Sequence, residues 1–285
     1  MTDATPLDQR TLHLHPLPAV TDGDKDTKGR ILIVAGSRDV PGGALLAAMG
    51  AMRAGAGKLQ IATVASVAPH IGVAMPEAMV VGLEEENGGF ANAATSKLAE
   101  LASKVDSVVA GPGMAEGEVC TAIAAALLKT DARLALDAAL LHAMEPAHIP
   151  RSSLPVLLPH AGELASLLDC DSEDIDRDPT GCGLRAAELY GSILLVKGVT
   201  SHVVTPAGDC WTYDGGSPGL GVSGSGDVLA GIVGGLLARG ADPLSALLWS
   251  VWLHGEAGAR LGRNVGPIGF LARQIADEIP ALLPR

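Results

Sequence analysis

The densest chemical signal in the sequence is Ser217-Pro-Gly-Leu-Gly-Val-Ser-Gly-Ser-Gly-Asp227, followed at once by the apolar run Val228 to Ala238. Four glycines fall within eight residues, Gly219 to Gly226. A glycine-rich turn feeding a helix start aims unpaired N–H groups at one point, and the helix dipole adds positive potential there. Such a point suits an anion, above all the charge that develops on a transferring phosphoryl group. Asp227 would stand beside that anion as the reacting carboxylate. The plainer reading is an N-cap aspartate. The dipole that favours the anion also favours an ionised carboxylate, so Asp227 is expected to be a weak base that works through its position.

Other polar residues stand where apparent strands end. Lys197-Gly198-Val199-Thr200-Ser201 follows one strand and would approach phosphate or adenosine, or else present a solvated lysine in a hairpin lead-in. Pro159-His160-Ala161-Gly162-Glu163 turns from strand to helix, and His160 there is either a polar substrate contact or a cap. Asp137 ends another strand, as ligand or cap, and His254 falls within a helix, where a structural role competes with a catalytic one. Gly111-Pro112-Gly113 and Gly36-Ser37 with Pro41-Gly42-Gly43-Ala44 are tight turns that let a ligand touch backbone. None of these is a G-x-x-x-x-G-K-[ST] loop or a clean G-x-G-x-x-G fingerprint.

The elements that must position these residues alternate. Strands are expected at 31–35, 58–63, 79–83, 106–110, 133–136, 155–158 and 192–196, with a hairpin from His202–Thr205 and Cys210–Tyr213 around 206–209. Helices are expected at 44–53, 118–129, 162–168 and 180–190, then three in succession at 227–239, 243–261 and 270–283. Helix 44–53 is built of small residues, which would let it lie close to a neighbouring strand. The alternation predicts an α/β fold, a mostly parallel sheet with helices on both faces, in one domain over 29–285. Residues 1–28 read as a polar N-terminal arm. In such sheets ligands bind beyond the carboxyl ends of the strands, where the residues above fall.

Composition narrows the partners. A formal net charge of −12 argues against nucleic acid, which wants a basic stripe. The polar start of the chain is no signal peptide, and the run Val228–Ala238, 11 residues with three glycines, is too short to span a bilayer. Cys120, Cys170, Cys182 and Cys210 form no C-x-x-C pair and fit free thiols in a reducing, cytoplasmic setting rather than a metal site. The small-residue helices are compatible with packing within a subunit or in a homo-oligomer.

Taken in order, these segments resemble the ADP/ATP-dependent NAD(P)H-hydrate dehydratase family of the ribokinase-like superfamily. The resemblance runs from Gly29 to Leu261. It is carried by Gly29-Arg-Ile-Leu-Ile-Val-Ala-Gly-Ser37, Pro41–Ala44, Ala51–Gly57, Ala110-Gly-Pro-Gly-Met114, Pro159–Glu163, Lys197-Gly198 and Ser223-Gly-Ser-Gly-Asp-Val-Leu-Ala-Gly231. It implies repair of NADH or NADPH hydrated on the nicotinamide ring: the ring hydroxyl is phosphorylated by ADP or ATP, and phosphate is then eliminated. It implies that Asp227 takes the hydroxyl proton and that the N–H groups of Gly224, Ser225 and Gly226 hold the phosphoryl group. It also implies that Ala44, Gly113, His160 and Asp227 line the site of the hydrated dinucleotide. Lys197, Gly198, Val199, Thr200, Ser201 and Gly226 would contact the adenine nucleotide, whose phosphates Mg²⁺ would bridge.

The sequence departs from the family pattern at four places: Leu158 where threonine is usual, Ala139 where aspartate is, and Ala115 and Ser223 where glycine is. Two other functions stay in view. One is a small-molecule kinase of the same superfamily that phosphorylates an alcohol without elimination. The other is a non-catalytic nucleotide-binding protein, which would have no need of the carboxylate.

Overall fold

The computed structural model describes residues 4–19, 25, 27–146 and 152–284. Its strands are β1 (Thr5–Pro6), β2 (Arg30–Val34), β3 (Lys58–Val64), β4 (Ala78–Leu83), β5 (Glu85–Glu86), β6 (Gly89–Phe90), β7 (Ser107–Ala110), β8 (Arg133–Leu136), β9 (Val156–Leu157), β10 (Ile193–Val196), β11 (Ser201–Val204) and β12 (Cys210–Tyr213). Its helices are α1 (Gln9–Leu14), α2 (Gly42–Arg53), α3 (Ala68–Ala74), α4 (Ala94–Ala102), α5 (Val119–Leu128), α6 (Ala161–Leu168), α7 (Ser172–Arg177), α8 (Pro179–Tyr190), α9 (Ser225–Ala238), α10 (Pro243–Asn264) and α11 (Ala272–Glu278).

Ten strands form one sheet in the order β1-β12-β11-β10-β9-β8-β7-β2-β3-β4. Pairing is parallel except at β10–β11 and β11–β12, where the expected hairpin folds back. The central strands carry apolar runs rather than alternation. β7 and β10 are buried at every position, as parallel strands covered by helices on both faces must be. The fold is therefore the mostly parallel α/β architecture expected from the sequence.

Two local expectations are extended. The small residues of α2 serve close approach to helix α9 as well as to strands β2 and β3. A β-carbon on Gly50 would fall 2.4 Å from the Val228 carbonyl oxygen, and one on Gly231 would fall 2.1 Å from that of Ala47. The helix axes can approach this closely only because side chains are missing from both. The arm is not merely a loop. Of residues 1–28, residues 1–3, 20–24 and 26 lie outside the described residues. Within the rest, Thr5 pairs with Trp211 to make β1 the sheet edge, and Asp8 caps α1. Trp249 on α10 then donates to the carbonyl of His15, at 2.8 Å. Among the described residues, no helix is long and apolar enough to cross a membrane.

Candidate active site

The strand ends and the start of α9 build the site. Ser217 caps a short 3₁₀ turn, Pro218–Leu220, and the chain then reaches Gly224 at φ +85°. That left-handed conformation suits glycine, and a β-carbon there would also lie 2.3 Å from Leu46 on α2. Gly224 is the N-cap of α9, so Asp227 sits in the first turn and is not the cap. The Ser225 N–H donates to the Val222 carbonyl at 3.1 Å, which takes one of the three expected anion donors out of the backbone set. The Ser225 hydroxyl meets α10. Ser225 Oγ lies 3.0 Å from His254 Nε2, and the same nitrogen is 3.1 Å from the Ser225 carbonyl oxygen. Burial drives the His254 pKa down to about 4, which leaves the ring neutral at physiological pH.

Asp227 is not the weak base that the dipole argument anticipated. Its pKa is raised to about 6, first by burial, then by the nearby charge of Asp137, with Lys197 opposing both. Desolvation of a partly buried carboxylate outweighs the helix field here. The result is a base poised nearer neutral pH, which suits proton abstraction better.

Asp137 reaches the site from the end of β8. It stands at the head of a 3₁₀ turn, Ala138–Leu140, yet its side chain makes no cap hydrogen bond. It accepts from Lys197 Nζ at 2.8 Å instead. It is not the cap that the sequence offered as one of its two roles. The turn after β7 lets it approach: a β-carbon on Gly111 would fall 1.7 Å from the Asp137 carbonyl oxygen.

His160 does cap its helix. Nδ1 accepts from the N–H groups of Gly162 and Glu163 at 3.0 and 3.3 Å, and Glu163 accepts from the His160 N–H at 2.7 Å. This reciprocal capping box fixes the tautomer, leaving the Nε2–H as a donor on an exposed ring edge. A bridge between His160 and Lys197 ties the two strand ends together.

A cleft of about 800 Å³ opens over the turn and brings together His160, Lys197, Gly198, Val199, Ser201 and Gly226, with Ser225 and His254 on its wall. Thr200 does not join them; its hydroxyl donates to Asp214 at 2.6 Å. Ala44 and Gly113 lie on the α2 side of the turn and are not brought into this cleft. Gly113 abuts Gly43, whose β-carbon would fall 2.8 Å from the Gly113 nitrogen, and Ala44 is fully buried. The turn thus stands between this cleft and the close approach of α2 to Gly113. Sequence reasoning weighed a structural against a catalytic role for His254 but did not place it on Ser225, and it gave Glu163 no role beyond the turn after β9, although its spacing three residues after the cap was a signal.

A sequence profile described as NAD(P)H-hydrate dehydratase matches residues 31–281. The chain is 46% identical over 275 residues to the ADP-dependent (S)-NAD(P)H-hydrate dehydratase of Xanthomonas campestris pv. campestris, covering 96% of this chain and 94% of that one. It is 36% identical over 265 residues to the bifunctional NAD(P)H-hydrate repair enzyme Nnr of Gloeobacter violaceus, covering 92% of this chain but 51% of that protein, about half its length. The solved structure of the ADP/ATP-dependent NAD(P)H-hydrate dehydratase of Bacillus subtilis, co-crystallised with ATP and Mg²⁺, superposes with a TM-score of 0.88 at 28% identity, covering 99% of this chain and 98% of that one.

Proposed function

The chain belongs to the NAD(P)H-hydrate dehydratase family, and from that premise we propose that it restores NADH or NADPH from the ring-hydrated forms at the expense of ADP or ATP. The observation that carries the reading is the placement of Asp227 beside the anion turn, with its pKa raised to about 6.

Asp227 accepts the proton of the ring hydroxyl as that oxygen bonds the terminal phosphorus of the nucleotide. The bond from phosphorus to the bridging oxygen breaks, and the shortened nucleotide leaves. The ring C–O bond then breaks, inorganic phosphate departs with the bonding electrons, and the neighbouring carbon loses a proton to solvent to give the double bond of NAD(P)H. The Gly226 backbone and the Ser225 hydroxyl face the phosphoryl group, where donors aimed at developing charge contribute most. Lys197, Gly198, Val199, Thr200 and Ser201 form the nucleotide side, with Thr200 acting through the Asp214 bond that shapes the loop. Ala44 and Gly113 contact the dinucleotide from the α2 side of the turn, and His160 contacts it from the cleft.

Among the described residues lining the cleft, Lys197 is the one lysine or arginine, too little to balance a di- or triphosphate. The chemistry of that lining fits Mg²⁺ carried on the nucleotide phosphates, where it neutralises charge as phosphoryl transfer requires.

The catalytic unit is taken as 29–285, behind an N-terminal arm of 1–28. Four free cysteines suit a cytoplasmic location. Stoichiometry tests the reading: one NAD(P)H and one inorganic phosphate should form per nucleotide consumed. A phosphorylated alcohol accumulating without inorganic phosphate would make the protein a kinase.

A further inference from the structure

Three charged side chains cluster behind the anion turn. Asp137 and Glu163 are buried carboxylates, and Lys197 Nζ lies 2.8 Å from the first and 3.6 Å from the second. They come from the ends of β8 and β10 and from the first turn of α6, and Lys197 and Asp137 meet beside Gly226. A β-carbon there would lie 3.7 Å from Lys197 Nζ and 4.0 Å from Asp137 Oδ2. The backbone is bent to allow this. Ala138, next to Asp137, holds φ at +48°, a conformation that costs a non-glycine residue energy. Two buried carboxylates also need a counter-charge, because an unpaired one is expensive to keep. The ammonium is correspondingly well held. Burial alone would lower its pKa, yet the two carboxylates reverse the shift and leave it raised.

Resting on the reading of Asp227 as the base, we propose that Asp137 and Glu163 are positioning residues: they fix the Lys197 ammonium beside Gly226 and so set the charge that Asp227 meets. After burial, Asp137 is the next largest influence pushing Asp227 towards its neutral form, and Lys197 draws it back. The remaining groups around the turn do not compete. His254 from α10 is neutral and bonded to Ser225, and His160 caps α6 with its ring largely exposed. Helices α2 and α11 meet Gly224 through Leu46 and Ala272, which carry no charge.

The two members of one ion pair should therefore move the base in opposite directions. The experiment compares full-length wild type, Asp137→Asn, Lys197→Met, Lys197→Arg and Glu163→Gln, recording kcat/KM against pH with hydrated NADH and ADP or ATP. Asp137→Asn should move the acidic limb down by about one pH unit and Lys197→Met should move it up by a similar amount. Lys197→Arg keeps the charge and should leave the limb in place. Glu163→Gln should shift it in the same sense as Lys197→Met but less, since Glu163 acts only by holding the ammonium. Nucleotide Kd should change less than about threefold in Asp137→Asn and Glu163→Gln, whose side chains do not line the cleft. Should Asp137→Asn fail to fold, the Lys197→Met and Lys197→Arg pair still decides. Displacement of both limbs in one direction, or none, would overturn the proposal. An acidic limb that persists in Asp227→Asn would instead overturn the reading of Asp227 as the base.

Discussion

His254 Nε2 sits 3.0 Å from Ser225 Oγ and 3.1 Å from the Ser225 carbonyl oxygen, so α10 grips the turn that opens α9. A neutral imidazole donating its Nε2 hydrogen to this pair leaves the Ser225 hydroxyl hydrogen free to turn towards an anion. Replacement by alanine should therefore lower kcat about tenfold to a hundredfold, the scale of losing one preorganised donor. Glutamine can offer an amide hydrogen in the same place and should restore part of the loss. Steady-state kinetics of His254→Ala and His254→Gln check this. Equal loss in both would mean that the ring matters for packing alone.

The raised pKa of Asp227 has a direct kinetic signature. Because the ionised form is the base, kcat/KM should fall tenfold per pH unit below about 6. Above that value the profile should be flat until another group titrates. A limb near pH 4 would mean that Asp227 titrates like an exposed carboxylate.

The same shift predicts a stability effect of opposite sign. The folded-state pKa of Asp227 lies above its unfolded value, so the folded protein binds the proton more readily. Ionised Asp227 thus destabilises the fold above about pH 6, and the cost fades as the pH falls towards 4. Asp227→Asn should raise stability at pH 8 by about 1–3 kcal/mol and change little at pH 4. Thermal melts at the two pH values measure the difference.

The α2–α9 contact can be tested by adding one methyl group. Gly231→Ala would place a β-carbon 2.1 Å from the Ala47 carbonyl oxygen, and neither backbone can yield without separating the helices. We expect a loss of about 1–3 kcal/mol, read as a lower Tm. Gly240→Ala, with open space around it but a positive φ, should show backbone strain alone.

Much of this fold was legible because its signals are local. β-branched runs such as Ile31–Val34 became buried strands, and Pro243 marked the first turn of α10. Short elements escaped. Helices α3, α4 and α7 and the β5–β6 hairpin lacked a strong enough pattern, and α1 was hidden within a polar stretch despite its Asp8 cap. At the site, the glycine spacing disclosed the anion turn. The charge on Asp227 was misjudged because it depends on burial and on Asp137, which lies 90 residues earlier in the chain. The pairing of Asp137 with Lys197 and of Ser225 with His254 are long-range facts that only the folded chain presents.

The most direct test supplies the protein with hydrated NADH, Mg²⁺ and ADP or ATP and follows the absorbance of NADH. We predict that NADH returns only when nucleotide is present, and that Asp227→Asn loses this activity by about a thousandfold while still binding nucleotide. Failure of wild-type protein to regenerate NADH, alongside phosphate transfer to some other alcohol, would contradict the account.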